Sequence, residues 1–216
     1  MSKRYAIIVA GGTGSRMKSQ IPKQFLEING VPVIVKTMQQ FLYFDSKIEM
    51  IISVHKDYMT LMNDLIQLYF SSYQIKIVGG GATRFQSVKN GLTLIEYLSA
   101  VVAIHDAARP YVSIETIERC YKTAEQLGNA VPVIQVNESL RQVNGNINKA
   151  VNRNQFKIVQ TPQCFKAELL QKAFLQTESD LFTDDASVVE SYGISINLVE
   201  GNPENIKITT PADLKN

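Results

Sequence analysis

The chain has only two histidines, His55 and His105, and only two cysteines, Cys120 and Cys164. The cysteines show no metal-ligand spacing and read as buried, reduced thiols. No stretch approaches the ~20 consecutive apolar residues of a membrane span. The N-terminal run MSKRYAIIVAGG passes straight from a short apolar stretch into glycines, with neither a full signal-peptide core nor a small-residue cleavage site. The expected location is therefore cytoplasmic. A net charge of +2 is too small to draw nucleic acid or a membrane by bulk electrostatics, so neither is expected as a partner and any positive field must be local. Internal repeats and low-complexity linkers are absent.

What is present is an ordinary globular composition, 216 residues with a hydrophobic fraction of 45%. That length buries a full core without disulfide or metal staples. We read residues 1–216 as a single domain.

Short β-branched runs alternate with longer helical patterns. Tyr5 to Ala10 is continuously apolar and stops at Gly11-Gly12, as a strand buried on both faces does. Further strands are expected over Lys47–Val54, Ile75–Val78, Ala100–His105, Ala130–Ile134 and Ile194–Val199. Helices are expected over Val33–Phe44, Asp57–Phe70 and Thr83–Leu98, and from an N-cap at Ser113 to Leu127, stopped by Gly128. This alternation predicts an α/β fold, a three-layer αβα domain around a mainly parallel twisted sheet. Ligands of such sheets bind beyond the carboxyl ends of the strands. Residues 137–160 break the rhythm. They are polar, with Asn144-Gly145-Asn146 as a turn between Leu140–Val143 and Ile147–Val151, and predict a projecting β-hairpin arm, a candidate dimer contact.

The loop after the first strand runs Gly11-Gly12-Thr13-Gly14-Ser15-Arg16-Met17, then Pro22-Lys23-Gln24-Phe25. A glycine pair here suits a tight turn, or a backbone cradle for phosphate oxygens. Met17 stands where a dinucleotide fingerprint needs its third glycine, and no Gly-Lys-Ser/Thr follows for a P-loop. Arg16 and Lys23 instead flank the loop. Fixed cations suit the charge that spreads over a phosphoryl group in transfer. Asp106, ending the fourth strand, could reach a magnesium ion or could simply cap a turn.

This glycine loop resembles the signature of sugar-phosphate nucleotidyltransferases, and within them the cytidylyltransferases acting on polyol phosphates. Three further sets agree in order along the whole chain. They are Gly80-Gly81-Ala82-Thr83-Arg84-Phe85-Gln86-Ser87-Val88, then His105-Asp106-Ala107-Ala108-Arg109-Pro110, then Gln160-Thr161-Pro162-Gln163 with Thr183-Asp184-Asp185-Ala186-Ser187 and Asn205-Ile206-Lys207-Ile208-Thr209. Together they resemble the 2-C-methyl-D-erythritol 4-phosphate cytidylyltransferase family of the non-mevalonate isoprenoid pathway. Ribitol-5-phosphate cytidylyltransferase is the alternative. Ala108 and Val151-Asn152-Arg153-Asn154 fit the methylerythritol pattern better.

The resemblance implies CTP and a polyol phosphate as substrates, pyrophosphate as a product, Mg2+ as cofactor and a homodimer joined through the arm. It implies Arg16 and Lys23 as catalytic cations. Nucleotide contacts would come from Ala10, Gly11, Gly12, Gly14, Gly81, Ser87, Asp106 and Ala107, with Asp106 also the metal ligand. The acceptor phosphate would be positioned by Arg109, Ser139, Arg153, Thr161 and Lys207, with Ser139 and Arg153 serving the partner's active site. The chain departs from the family at Ala82, commonly acidic or polar, at Ser139, commonly Thr, and at Asn152, commonly Asp. Arg84 reads as a solvated cation at a helix start, and Thr183-Asp184-Asp185 as an N-cap with acidic first-turn residues.

A phosphate monoester, with a second pKa of about 6, is already a nucleophile at neutral pH. It needs no general base, which suits a chain with two histidines. A nicotinamide-dependent dehydrogenase would need an acidic residue after the second strand, where Ser53-Val54-His55 stands. A degenerate nucleotide sensor would have lost Arg16, Lys23, Asp106 or Lys207, and all are present.

Overall fold

The computed structural model describes residues 2–12 and 21–215. Its elements, in order, are β1 (Arg4–Ala10), β2 (Glu27–Ile28), β3 (Val31–Pro32), α1 (Val33–Phe44), β4 (Glu49–Val54), α2 (Met59–Phe70), β5 (Ile75–Gly79), α3 (Arg84–Leu92), β6 (Val101–Asp106), α4 (Ile114–Leu127), β7 (Asn129–Gln135), β8 (Leu140–Asn144), β9 (Ile147–Val151), β10 (Lys157–Val159), β11 (Gln163–Lys166), α5 (Ala167–Ala173), α6 (Asp185–Ser191) and β12 (Leu198–Glu200).

The main sheet has the order β10-β7-β11-β6-β1-β4-β5, with β12 also paired to β7. β5, β4, β1 and β6 are parallel. β11 runs antiparallel between β6 and β7. β12 lies parallel to β7, and β10 antiparallel.

Alternation along each strand sorts its side chains into two cores. Ala6, Ile8 and Ala10 of β1 pack with Met38 and Phe41 of α1, Met62 of α2 and Tyr121 of α4. Tyr5 and Ile7, one residue out of phase, pack with Phe85 of α3, Leu170 of α5 and Val189 of α6. This is the three-layer αβα arrangement that the alternating pattern predicts. Each fully buried Ile or Val contributes on the order of 1.5–3 kcal/mol relative to exposure, so a register slip in β1 would cost several such terms at once.

The expected caps stand. The Ser113 hydroxyl accepts from the Thr116 N–H at 3.1 Å, and Gly128 ends α4 at φ +96°. Both cysteines are buried and free.

Several expectations need correction. α3 ends at Leu92 rather than Leu98. There Thr93, Leu94 and Ile95 donate to Asn90, Gly91 and Leu92, three residues back, and these tight turns still bring Ile95 into the core. The late strand is β12, Leu198–Glu200, not Ile194–Val199. The hairpin β8–β9 forms its own two-stranded sheet, with Gly145 at φ +57° in the turn. The excursion nevertheless ends before residue 160, because β10 already pairs with β7 from Lys157. Backbone pairing to the main sheet outweighs the polar character of that stretch.

Candidate active site

The carboxyl ends of β1 and β6, the loop after β5 and the chain around Lys207 enclose a cavity of about 360 Å³. Its wall includes Ala10, Gly11, Gly12, Lys23, Gly81, Arg84, Ser87, Asp106, Ala107 and Lys207. The expected nucleotide residues that are described thus converge, although they come from three separate segments. Gly14 and Arg16 lie outside the described residues.

Close packing fixes the glycine step. A Cβ on Gly11 would sit 2.8 Å from the Ser87 Oγ, and one on Gly81 would overlap the side chain of Gln86. Ser87 is buried. Its hydroxyl donates to the Thr83 carbonyl at 2.8 Å and accepts the Gly81 N–H at 3.1 Å, bracing the start of α3. On the opposite side, Pro22 introduces a short 3-10 turn, Lys23–Phe25. Phe25 is buried and stacks on Tyr58 at 5.3 Å between centroids. The Gln24 side chain, also buried, donates to the carbonyls of Ala10 at 2.7 Å and Gly12 at 3.0 Å. Gln24 therefore ties both ends of the glycine step to the turn that carries Lys23.

Asp106 is the electrostatic centre. Its Oδ1 faces Arg84 Nε at 3.4 Å. Its Oδ2 faces Lys207 Nζ at 2.9 Å and Arg109 Nε at 3.4 Å. Burial pushes the carboxyl up, but Arg84, Lys207 and Arg109 together overcome this and hold it well below the usual carboxylate range. Backbone contacts set two of these cations. Ile208, fully buried, donates its N–H to the Ala108 carbonyl at 2.8 Å and so holds Lys207 beside Asp106. Arg109 also donates to the Asn205 carbonyl at 2.8 Å.

Behind the carboxylate, one hydrogen-bond chain fixes the end of β6. The Asp106 N–H donates to Thr161 Oγ1 at 3.2 Å. Thr161 Oγ1 lies 3.0 Å from His105 Nδ1, and His105 Nε2 lies 3.1 Å from the Arg109 carbonyl. A carbonyl only accepts, so Nε2 carries the proton and Nδ1 accepts from the threonine hydroxyl. Burial pushes His105 down to about 4, which keeps the ring neutral. His105 is thus the packing residue that its position suggests. Thr161 differs from expectation, because its hydroxyl is engaged inside the protein rather than offered to an acceptor.

Arg84 also differs. Instead of a solvated cation, it donates from both terminal nitrogens to Asp185, at 2.8 and 2.7 Å, while its Nε faces Asp106. Asp185 is almost fully buried, at 1% exposure. Burial pushes its carboxyl up, with Arg84 opposing. On Arg84, burial works against the charge, but Asp185 and Asp106 overcome it and hold the guanidinium protonated. Asp184 caps α6 as expected, in a reciprocal capping box with Ser187. Sequence reasoning missed both Arg84 and Asp185. The only signal was their presence in two of the quoted motifs.

Ser139 and Arg153 are exposed on the arm and do not line the cavity. Arg153 bonds to the Asn137 carbonyl.

The chain is similar to known proteins over nearly its whole length. The family model of 2-C-methyl-D-erythritol 4-phosphate cytidylyltransferase matches residues 5–216. The enzyme of that name from Bacteroides fragilis is 48% identical over 212 residues, covering 98% of this chain and 96% of the relative. That from Bacteroides thetaiotaomicron is 45% identical over 213 residues, covering 99% and 97%. Among solved structures, the Francisella tularensis enzyme superposes with a TM-score of 0.82 at 33% identity, covering 99% of this chain and 97% of that one. The synthase from Anaerococcus prevotii gives 0.85 at 26% identity, covering 99% and 93%.

Proposed function

The chain belongs to the 2-C-methyl-D-erythritol 4-phosphate cytidylyltransferase family, and we propose that it performs that family's reaction by electrostatic positioning, with no general base. CTP and 2-C-methyl-D-erythritol 4-phosphate give 4-diphosphocytidyl-2-C-methyl-D-erythritol and pyrophosphate. A phosphate oxygen of the acceptor attacks the α-phosphorus of CTP, and the bond to the β-phosphate oxygen breaks. The relatives reported above carry the methylerythritol name, and none of them favours the ribitol alternative.

The observation that carries the reading is the convergence of Lys23, the Gly11-Gly12 step, Asp106 and Lys207 on one cavity. The backbone at Gly11 and Gly12 can approach the triphosphate closely, and Lys23 supplies charge beside it. Arg16 carries the same assignment from the family pattern. Lys207 and Arg109 offset repulsion between the acceptor dianion and the triphosphate, so that attack can occur in line. His105 takes no part as a base, because both of its ring nitrogens are engaged within the fold.

The donor set fits a magnesium ion that arrives with the nucleotide. Among the described residues no cluster of three His, Cys, Asp or Glu side chains could hold a metal alone, and magnesium takes one or two carboxylates plus phosphate oxygens. Asp106, ionised and on the cavity wall, would hold it. When bound, the ion would neutralise charge on the triphosphate.

We assign the arm to a homodimer. Val143, Ile147 and Phe156 are exposed on it, and Ser139 and Arg153 lie away from this chain's own cavity, which supports their serving a partner's site. No described helix is long and apolar enough to cross a membrane.

Pyrophosphate release with Mg2+ and CTP tests the reading. Methylerythritol phosphate, ribitol 5-phosphate and no acceptor are compared. Turnover is expected with the first alone. Turnover with neither acceptor would remove the substrate assignment.

A further inference from the structure

The two oxygens of Asp106 divide the cations around it. Oδ1 faces only Arg84 among the described ion pairs, on the side of Gly81 and α3. Oδ2 faces Arg109 and Lys207, on the side of the chain around Asn205. Lys207 and Arg109 are held by backbone contacts. Arg84 is held by a second carboxylate from the far end of the sequence.

We propose that Asp185 is a positioning residue for the nucleotide, acting through Arg84: its buried carboxylate grips both terminal nitrogens of the guanidinium and fixes that cation on the cavity wall it shares with Gly81 and Ser87, the expected nucleotide contacts. The inference rests on the cytidylyltransferase reading and deepens it.

The geometry supports this in three ways. A guanidinium held at both terminal nitrogens by a planar carboxylate has its plane and direction set, which a single contact to Asp106 at 3.4 Å cannot do. The gripping carboxylate is itself anchored. The Asp184 Oδ2 accepts from Gln163 Nε2 at 2.7 Å, and the Ala186 N–H donates to Gln163 Oε1 at 2.8 Å, so the start of α6 is locked to the first residue of β11. β11 in turn pairs with β6, which carries Asp106. Finally, Arg84 lines the cavity while Asp185 is buried behind it. That is the relation expected of a supported side chain and its support.

A buried ion pair of this kind could instead serve folding alone, since removing one partner of such a pair destabilises a protein whatever its function. The test must separate the two. The full-length enzyme is compared with Asp185→Asn, which keeps shape and loses charge, with Arg84→Lys, which keeps charge and loses the fork, and with the double variant Arg84→Met, Asp185→Leu. Replacing both charges with apolar groups of similar volume is expected to restore folding stability.

Steady-state kinetics and calorimetric titration with CTP, without acceptor, are then read for each. The proposal expects KM and Kd for CTP to rise tenfold or more in all three variants. The KM for methylerythritol phosphate should stay within threefold. The double variant should show wild-type thermal stability and still bind CTP weakly. A stable double variant with wild-type CTP affinity would reduce the pair to a folding element and overturn the proposal. So would Asp185→Asn with unchanged CTP affinity. If the wild-type enzyme binds CTP but turns over no polyol phosphate, the substrate reading fails while the CTP titrations still decide the role of Asp185.

Discussion

Thr161 and His105 lie 56 residues apart in the chain, and their side chains meet at 3.0 Å between Oγ1 and Nδ1 in the buried interior. The same hydroxyl accepts the Asp106 N–H. One small side chain from the segment between β10 and β11 thus holds both the histidine ring, whose tautomer the Arg109 carbonyl sets, and the backbone that presents the central carboxylate. Thr161→Val keeps the shape and removes both bonds. It leaves a buried N–H and a buried ring nitrogen unpaired, which costs roughly 1–3 kcal/mol for each. Urea unfolding should show that loss at pH 7, with kcat/KM reduced as well. Unchanged stability would mean that water or another group takes over both bonds.

The neutral, buried histidine gives the fold a pH dependence with a definite sign. His105 sits at about 4 in the folded protein, below its ordinary value of 6.5. Between these values the unfolded chain binds the extra proton and the folded chain does not. Stability therefore falls as pH drops through that window, by roughly 3 kcal/mol in all. Asp106, held below the usual carboxylate range, adds a further loss at lower pH. Unfolding curves at pH 7, 6 and 5 should show a steeper decline for the wild type than for His105→Gln. Parallel declines would show that His105 is not the group responsible.

Lys23 is assigned to charge that develops in the transition state. Lys23→Ala should lower kcat more than tenfold, equivalent to ~1.4 kcal/mol or more of transition-state stabilisation. Single-turnover measurements with saturating CTP isolate the effect from binding. An unchanged rate would take Lys23 out of this role.

The arm is assigned to acceptor recognition in a neighbouring protomer. Arg153→Ala should chiefly raise the KM for methylerythritol phosphate, leaving CTP affinity near that of the wild type. A fall in CTP affinity instead would mean that the arm serves the nucleotide.

Much of this architecture is legible in local sequence. Tyr5–Ala10 declares a doubly buried strand, and the two glycines that follow mark where the backbone opens towards a ligand. Ser113 and Gly128 bound α4 because a hydroxyl at one end and a left-handed residue at the other are short-range devices. The arm turn at Asn144-Gly145-Asn146 is equally local. What escaped is long-range. Nothing near Arg84 shows that its partner stands 101 residues away, so a cation at a helix start read as solvated. β10 and β11 escaped as well. They are three and four residues long, separated by Gln160-Thr161-Pro162, and runs so short carry no period. Their pairing is decided by the edges of β6 and β7 rather than by their own composition.

Catalysis by electrostatic positioning depends on where the triphosphate lies. A crystal structure of the enzyme with Mg2+ and a slowly reacting CTP analogue measures this directly. The phosphates should lie against the Gly11-Gly12 step with Lys23 beside them, and the nucleoside towards Gly81 and Arg84. A triphosphate bound away from the first glycine step, with Lys23 out of reach, would contradict it.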